Sequence, residues 1–185
     1  VAIGSNASVK DGHDSIAMGV YSQTTNNKAI SIGAYNEASG VQSTVIGSNY
    51  NTKNDAGVSV ASGTRAQVYG VETTVSGNNS VAIGDTNTVA SARTYALGNN
   101  INVKAGADDS LVFGTQANVG AVHSIAMGTT AAATGIGSIA LGKSASATEQ
   151  RAIAMGENAL AGNEASMALG YNSSAKGSKQ VSIGL

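Results

Sequence analysis

Cysteine and tryptophan are absent, phenylalanine occurs once, and charged residues make up only 11% of the 185-residue chain. Without cysteine there can be no disulfide and no thiolate metal site. With one Phe and six Tyr beside 24 Gly, large side chains are too few to fill a thick interior, and the abundant Gly, Ser, Thr and Asn supply turns. A net charge of −1 leaves no basic field to attract nucleic acid or anionic lipid. No apolar run approaches the 18 residues a membrane-spanning helix needs. Hydrophobic residues still amount to 42%, enough for a folded domain whose core is thin and made mainly of Ala, Val and Ile.

An internal repeat organises the chain. Its signature is a Ser or variable residue, then apolar, small, apolar and Gly: Ser15-Ile-Ala-Met-Gly19, Ala29-Ile-Ser-Ile-Gly33, Ser80-Val-Ala-Ile-Gly84, Ser124-Ile-Ala-Met-Gly128, Ala152-Ile-Ala-Met-Gly156 and Ser166-Met-Ala-Leu-Gly170. Taking the closing glycines as Gly4, Gly19, Gly33, Gly47, Gly63, Gly77, Gly84, Gly98, Gly114, Gly128, Gly142, Gly156, Gly170 and Gly184, nine of thirteen intervals equal 14. Copies of one repeat unit therefore account for residues 1–185, which read as a single domain. Because the chain opens and closes inside the motif, it reads as a piece of a longer one, with any targeting or anchoring segment outside it.

Within each unit the alternation has a period of two, the mark of a strand. A weaker strand follows each glycine, as in Ala145-Ser-Ala147 and Ala159-Leu-Ala161. Two short strands per 14 residues make one flattened turn of a parallel β-solenoid, an all-β architecture whose turns stack about 4.8 Å apart. The residues one and three before each glycine are bulky, and they are expected to pack inward on the opposite wall. Met18, Met127, Met155 and Met167 fall in these columns and are expected in the core. The residue two before the glycine is small throughout. This row, Ala17, Ala82, Ala96, Ala126, Ala140, Ala154 and Ala168 among them, is expected to line a close-packed subunit interface, because solvated strand faces carry Lys, Glu or Thr instead.

The motif Asn79-Ser-Val-Ala-Ile-Gly84 and its variants at 14-residue spacing resemble the head repeat of trimeric autotransporter adhesins of the YadA type. The resemblance spans the chain. It implies a left-handed parallel β-roll, a homotrimer of three rolls side by side, and display on the bacterial surface above a neck, a stalk and an outer-membrane anchor that are not in this chain. It also implies host partners, either extracellular-matrix proteins or a cell-surface receptor such as a CEACAM-type molecule. Neither a nucleic-acid partner nor direct membrane contact from these residues is expected. A passive spacer, or a module for autoagglutination and biofilm, is the alternative.

Departures from the repeat mark candidate binding residues. Two intervals carry two extra residues each, pairing Asn49 with Asn100, Asn51 with Asn102 and Lys53 with Lys104. Between them Ser62 and Ser76 interrupt the apolar column, and Gly77 to Gly84 spans only seven residues. Surface protrusions here would present Lys53, Asp55, Lys104, Asp108 and Asp109. Tyr21 and Tyr35, each two residues after a glycine, should stack on adjacent turns, and Tyr50 opens the first insertion. Exposed aromatics make good protein anchors.

Chemical motifs point away from catalysis. Gly137-Ser-Ile-Ala-Leu-Gly142-Lys143-Ser144 satisfies the phosphate-loop pattern GxxxxGK[ST]. A phosphate loop is a glycine loop opening a helix, whereas here Ser-Ile-Ala-Leu is itself the predicted strand. His13 and His123 stand in turns without a second ligand at metal spacing, and no G-x-S-x-G elbow occurs. The sequence reads as a non-enzyme that needs no cofactor or metal.

Overall fold

The computed structural model describes residues 1–47 and 59–184, and the chain divides into two compact units, Val1–Arg93 and Thr94–Leu185. Each unit is a parallel β-solenoid of flattened coils with two walls.

In the first unit the long wall contains Ala2–Ile3, Ile16–Met18, Ile30–Ile32, Thr44–Ile46, Gln67–Tyr69 and Val81–Ile83. Its short wall contains Ser8–Val9, Gln23–Thr24, Asn36–Ala38, Ser59–Ala61, Thr74–Val75 and Thr88–Val89. In the second unit the long wall runs through Tyr95–Leu97, Leu111–Phe113, Ile125–Met127, Ile139–Leu141, Ile153–Met155, Met167–Leu169 and Val181–Ile183. The short wall there comprises Asn102–Val103, Asn118–Val119, Ala132–Ala133, Ser146–Ala147, Leu160–Ala161 and Ser174–Ala175. Pairing is parallel and in strict register, as in Ile139 with Ile153, Ala140 with Ala154 and Leu141 with Met155.

Two corners per coil reverse the chain. Each places a residue in the left-handed region, and these recur seven residues apart, as at Tyr21 (φ 54°), Lys28 (56°), Tyr35 (57°) and Gln42 (58°). The closing glycine sits at the end of the long strand. Gly142 has φ 130°, and a Cβ there would stand 2.6 Å from the Gly156 carbonyl oxygen one coil on. Both the dihedral and the stacking distance thus exclude a side chain.

The expected inside and outside of the long wall are reversed. Ala17, Ala82, Ala126, Ala140, Ala154 and Ala168 have no exposed surface and Ala96 has 3%, so this column is the core of its own chain and cannot line a subunit interface. It faces Thr24, Ala38, Ala61, Val75 and Val89 of the short wall in the first unit, and Val103, Val119, Ala133, Ala147, Ala161 and Ala175 in the second, all buried. The bulky columns point outward: Met18, Met127 and Met155 are 38%, 37% and 42% exposed, and Met167 is half-buried. The interior of a two-walled coil is narrow: among the described residues the largest fully buried side chain is Ile101, in the coil lengthened by the second insertion, and the other large apolar ones are Val. Small side chains fill it at native density, and a larger one would force the walls apart.

Buried hydroxyls complete the interior. Ser15 Oγ donates to the Asn26 carbonyl at 2.7 Å and accepts from the Ala29 amide at 3.1 Å. Ser124 Oγ donates to the Gly135 carbonyl at 3.0 Å, and its amide donates to Ser110 Oγ at 3.1 Å. The Ser at the start of the motif therefore ties one coil to the next at a corner where strand pairing has ended, its Oγ pairing a buried amide of the following coil at Ala29 and Ser124.

The phase between Gly47 and Gly84 is also corrected. Ser59-Val60-Ala61 pairs with Asn36-Glu37-Ala38 on the short wall, and Thr44-Val45-Ile46 pairs with Gln67-Val68-Tyr69 on the long wall. The closing glycine of that coil is Gly70 rather than Gly63 or Gly77, and Gly70 to Gly84 is a regular 14. No half-coil is lost. Ser62 and Ser76 follow short-wall strands and interrupt no column. Gly47 to Gly70 spans 23 residues, so the first insertion adds nine residues to one coil rather than two. Tyr95 pairs with Leu111, which leaves the second insertion at two.

Candidate functional site

Two surfaces stand out, one aromatic and local, the other apolar and repeated. The aromatic one lies in the first unit at the corner after the long wall. The amide of Tyr21 donates to the Ser5 carbonyl and that of Tyr35 to the Val20 carbonyl, both at 2.9 Å, which fixes each Tyr one coil above the last. Their rings stack with centroids 5.1 Å apart and planes 17° apart, the expected separation for a favourable aromatic pair. Tyr21 is 44% exposed.

A groove of about 160 Å³ runs beside the pair, lined by Tyr21, Gln23, Tyr35, Asn36 and Glu37. Gln23 and Glu37 are register partners on the short wall and are half-buried. Asn36 anchors the floor from inside: its amide donates to the Ile32 carbonyl at 2.7 Å and the Gly47 carbonyl at 2.6 Å. Sequence reasoning found the two tyrosines but missed Gln23 and Glu37. The signal was available, since each lies two residues after its Tyr and so follows it out of the same corner.

Tyr50, Lys53 and Asp55 lie outside the described residues. Lys104, Asp108 and Asp109 belong to the second unit. Lys104 and Asp109 are exposed and Asp108 is half-buried. Asp109 has φ 57° at a corner, and its Oδ2 lies 3.9 Å from His123 Nε2, one coil on. Across that corner the His123 amide donates to the Asp108 carbonyl at 3.0 Å.

The apolar surface is the outer face of the long wall. In the first unit it exposes Met18, Ile32, Ile46 and Ile83 at 37–43%. In the second it exposes Leu97, Leu111, Phe113, Met127 and Met155 at 37–44%. Monomeric proteins rarely present so many contiguous large apolar side chains to water.

The phosphate-loop match is accounted for by the fold. Ile139–Leu141 is a strand, Gly142 the closing glycine, and Ser146–Ala147 the next strand. Lys143 Nζ lies 3.2 Å from Glu157 Oε1, its equivalent one coil on.

The repeat geometry agrees with a known family. The family model described as YadA head domain repeat matches residues 1–22, 11–36, 25–49, 61–86, 76–100, 105–131, 133–159, 147–173 and 161–179. The chain belongs to the YadA head-repeat family. It is thus a head domain of the adhesin type, built as a parallel β-solenoid of coils spaced by 14 residues. A solved structure, the collagen-binding domain of the Yersinia adhesin YadA, is 23% identical with a TM-score of 0.37, the match covering 97% of this chain and 70% of that one. A search of curated proteins finds no match.

Proposed function

We propose that this YadA-like head is a homotrimeric module on the bacterial surface that attaches the cell to a host protein, either an extracellular-matrix protein or a cell-surface receptor. The observation that carries the trimer is the outward apolar column of the long wall. Each unit repeats it coil after coil, and a face so composed is stable in water only when covered. A rotational homotrimer covers identical faces in one step and leaves the corners, including the Tyr21–Tyr35 pair, for other partners. Three copies of one contact around the trimer would bind an arrayed host surface by avidity even where a single contact is weak. Within this proposal the chain performs no catalysis.

The test is binding of the purified chain to surfaces coated with collagen, other matrix proteins or receptor ectodomains. Dissociation from one such surface should slow as its ligand density rises, because multivalent attachment does so. Absence of binding to any of them, with the chain assembled, would overturn the reading.

A further inference from the structure

We propose that the groove beside Tyr21 and Tyr35 receives an arginine side chain of the partner protein. The proposal rests on the reading of this head as a host-protein binder and gives that contact its chemistry.

The charge comes first. Glu37 is the only charged residue among the five that line the groove, and among the described residues no cation pairs with it. Its carboxylate stands beside two stacked aromatic rings whose faces are themselves electron-rich, so the two fields add and favour a cation. A neutral saccharide could donate hydroxyls to the carboxylate but would bring no charge to offset it.

Arginine fits better than lysine. Its guanidinium is planar and weakly hydrated and offers five donors in a fork. The head can reach the Glu37 carboxylate and the Gln23 amide oxygen, register neighbours on adjacent coils, while the aliphatic stem lies along the tyrosines.

The choice of tyrosine is the second observation. At the same corner of other coils the positive-φ residue is Asn, Glu, Thr, Gln or Ser, as at Asn6, Glu72, Thr86, Gln116 and Ser144, and among the described residues it is aromatic only at Tyr21 and Tyr35. Two bulky rings occupy it on successive coils at Tyr21 and Tyr35. The backbone conformation is common to the corners, and the pair of rings is what is particular to this stretch.

The probe is acetyl-arginine-amide, titrated into head protein with labelled tyrosine rings and followed by NMR. The uncharged isostere acetyl-citrulline-amide serves as control. The Tyr21 and Tyr35 ring signals should shift and saturate with arginine at roughly millimolar concentration, the range of a single weak contact. With citrulline, or in Glu37→Gln, affinity should fall at least about tenfold. Tyr35→Asn, which suits the corner backbone, should abolish the response while circular dichroism stays unchanged.

Equal shifts with citrulline, an unaffected Glu37→Gln, or no shift in the parent protein up to roughly tens of millimolar would each overturn the proposal. The host-surface assay run on the same proteins separates the two ideas. Parent-level host binding by Glu37→Gln would overturn the arginine contact and leave adhesion standing. Failure of the parent to bind any host protein would remove adhesion, whatever the probe does.

Discussion

Ala140 and Leu141 are chain neighbours with opposite fates: Ala140 is fully buried against the short wall, whereas the Leu141 side chain turns outward on the apolar face. That alternation, carried through both units, separates what holds each coil together from what a partner can touch.

Enlarging the inner column should therefore damage the fold, and trimming the outer one should not. Ala154→Leu adds three carbons inside a filled coil and is expected to destabilise by about 1–3 kcal/mol or more. Met155→Ser, one residue on, should leave the thermal transition of the dissociated chain nearly in place while weakening self-association. Circular dichroism melts at low concentration, with sedimentation at high concentration, distinguish the two effects.

Gly142 and Lys143 give a second contrast. Gly142→Ala places a methyl within 2.6 Å of the Gly156 carbonyl oxygen at a φ of 130°, so a loss of about 1–3 kcal/mol is expected from the dihedral alone. Lys143→Ala removes an ion pair whose side chains are 66% and 45% exposed, and exposed pairs contribute less than about 1 kcal/mol. A phosphate loop would show a different pattern, with nucleotide affinity lost in Lys143→Ala. Chemical denaturation and a nucleotide titration together read both outcomes.

The corner hydroxyls supply a third. Ser124→Ala deletes the one hydroxyl shared between the Gly135 and Ala121 carbonyls at 3.0 and 2.8 Å; those carbonyls keep the Ser138 amide and Ser110 Oγ as donors, so a loss of about 0.5–1.5 kcal/mol, the net value of one hydrogen bond, is expected. Ala152 occupies the equivalent place in another coil. Ala152→Ser should be neutral or stabilising by up to about 1 kcal/mol, and matched denaturant midpoints would measure both changes.

The strand pairs and coil length were legible in the sequence because alternation and a 14-residue spacing are properties of residue order. Which face of the long strand points inward was not. A period of two states that Ala140 and Ala154 share a face with each other and not with Leu141, yet says nothing about the width between walls, and width is what assigns Ala to the inside. The phase near Gly63 misled for a related reason: Val60-Ala61-Ser62-Gly63 and Thr74-Val75-Ser76-Gly77 on the short wall imitate the long-wall motif, while Gln67-Val68-Tyr69-Gly70, the true long-wall strand, carries a polar residue in its apolar column. The aromatic pair was visible as a spacing, Tyr21 and Tyr35 being 14 apart. Gln23 and Glu37 carry the same 14-residue spacing, two residues after each Tyr, but only the register shows that they flank the rings.

The central claim is that the outward apolar column is covered by two further copies of the same chain. Light scattering coupled to size exclusion measures this directly. The expected particle has three times the 18.2 kDa chain mass and loses mass in Met155→Ser. A stable monomer at high concentration, with its apolar face open to water, would contradict it.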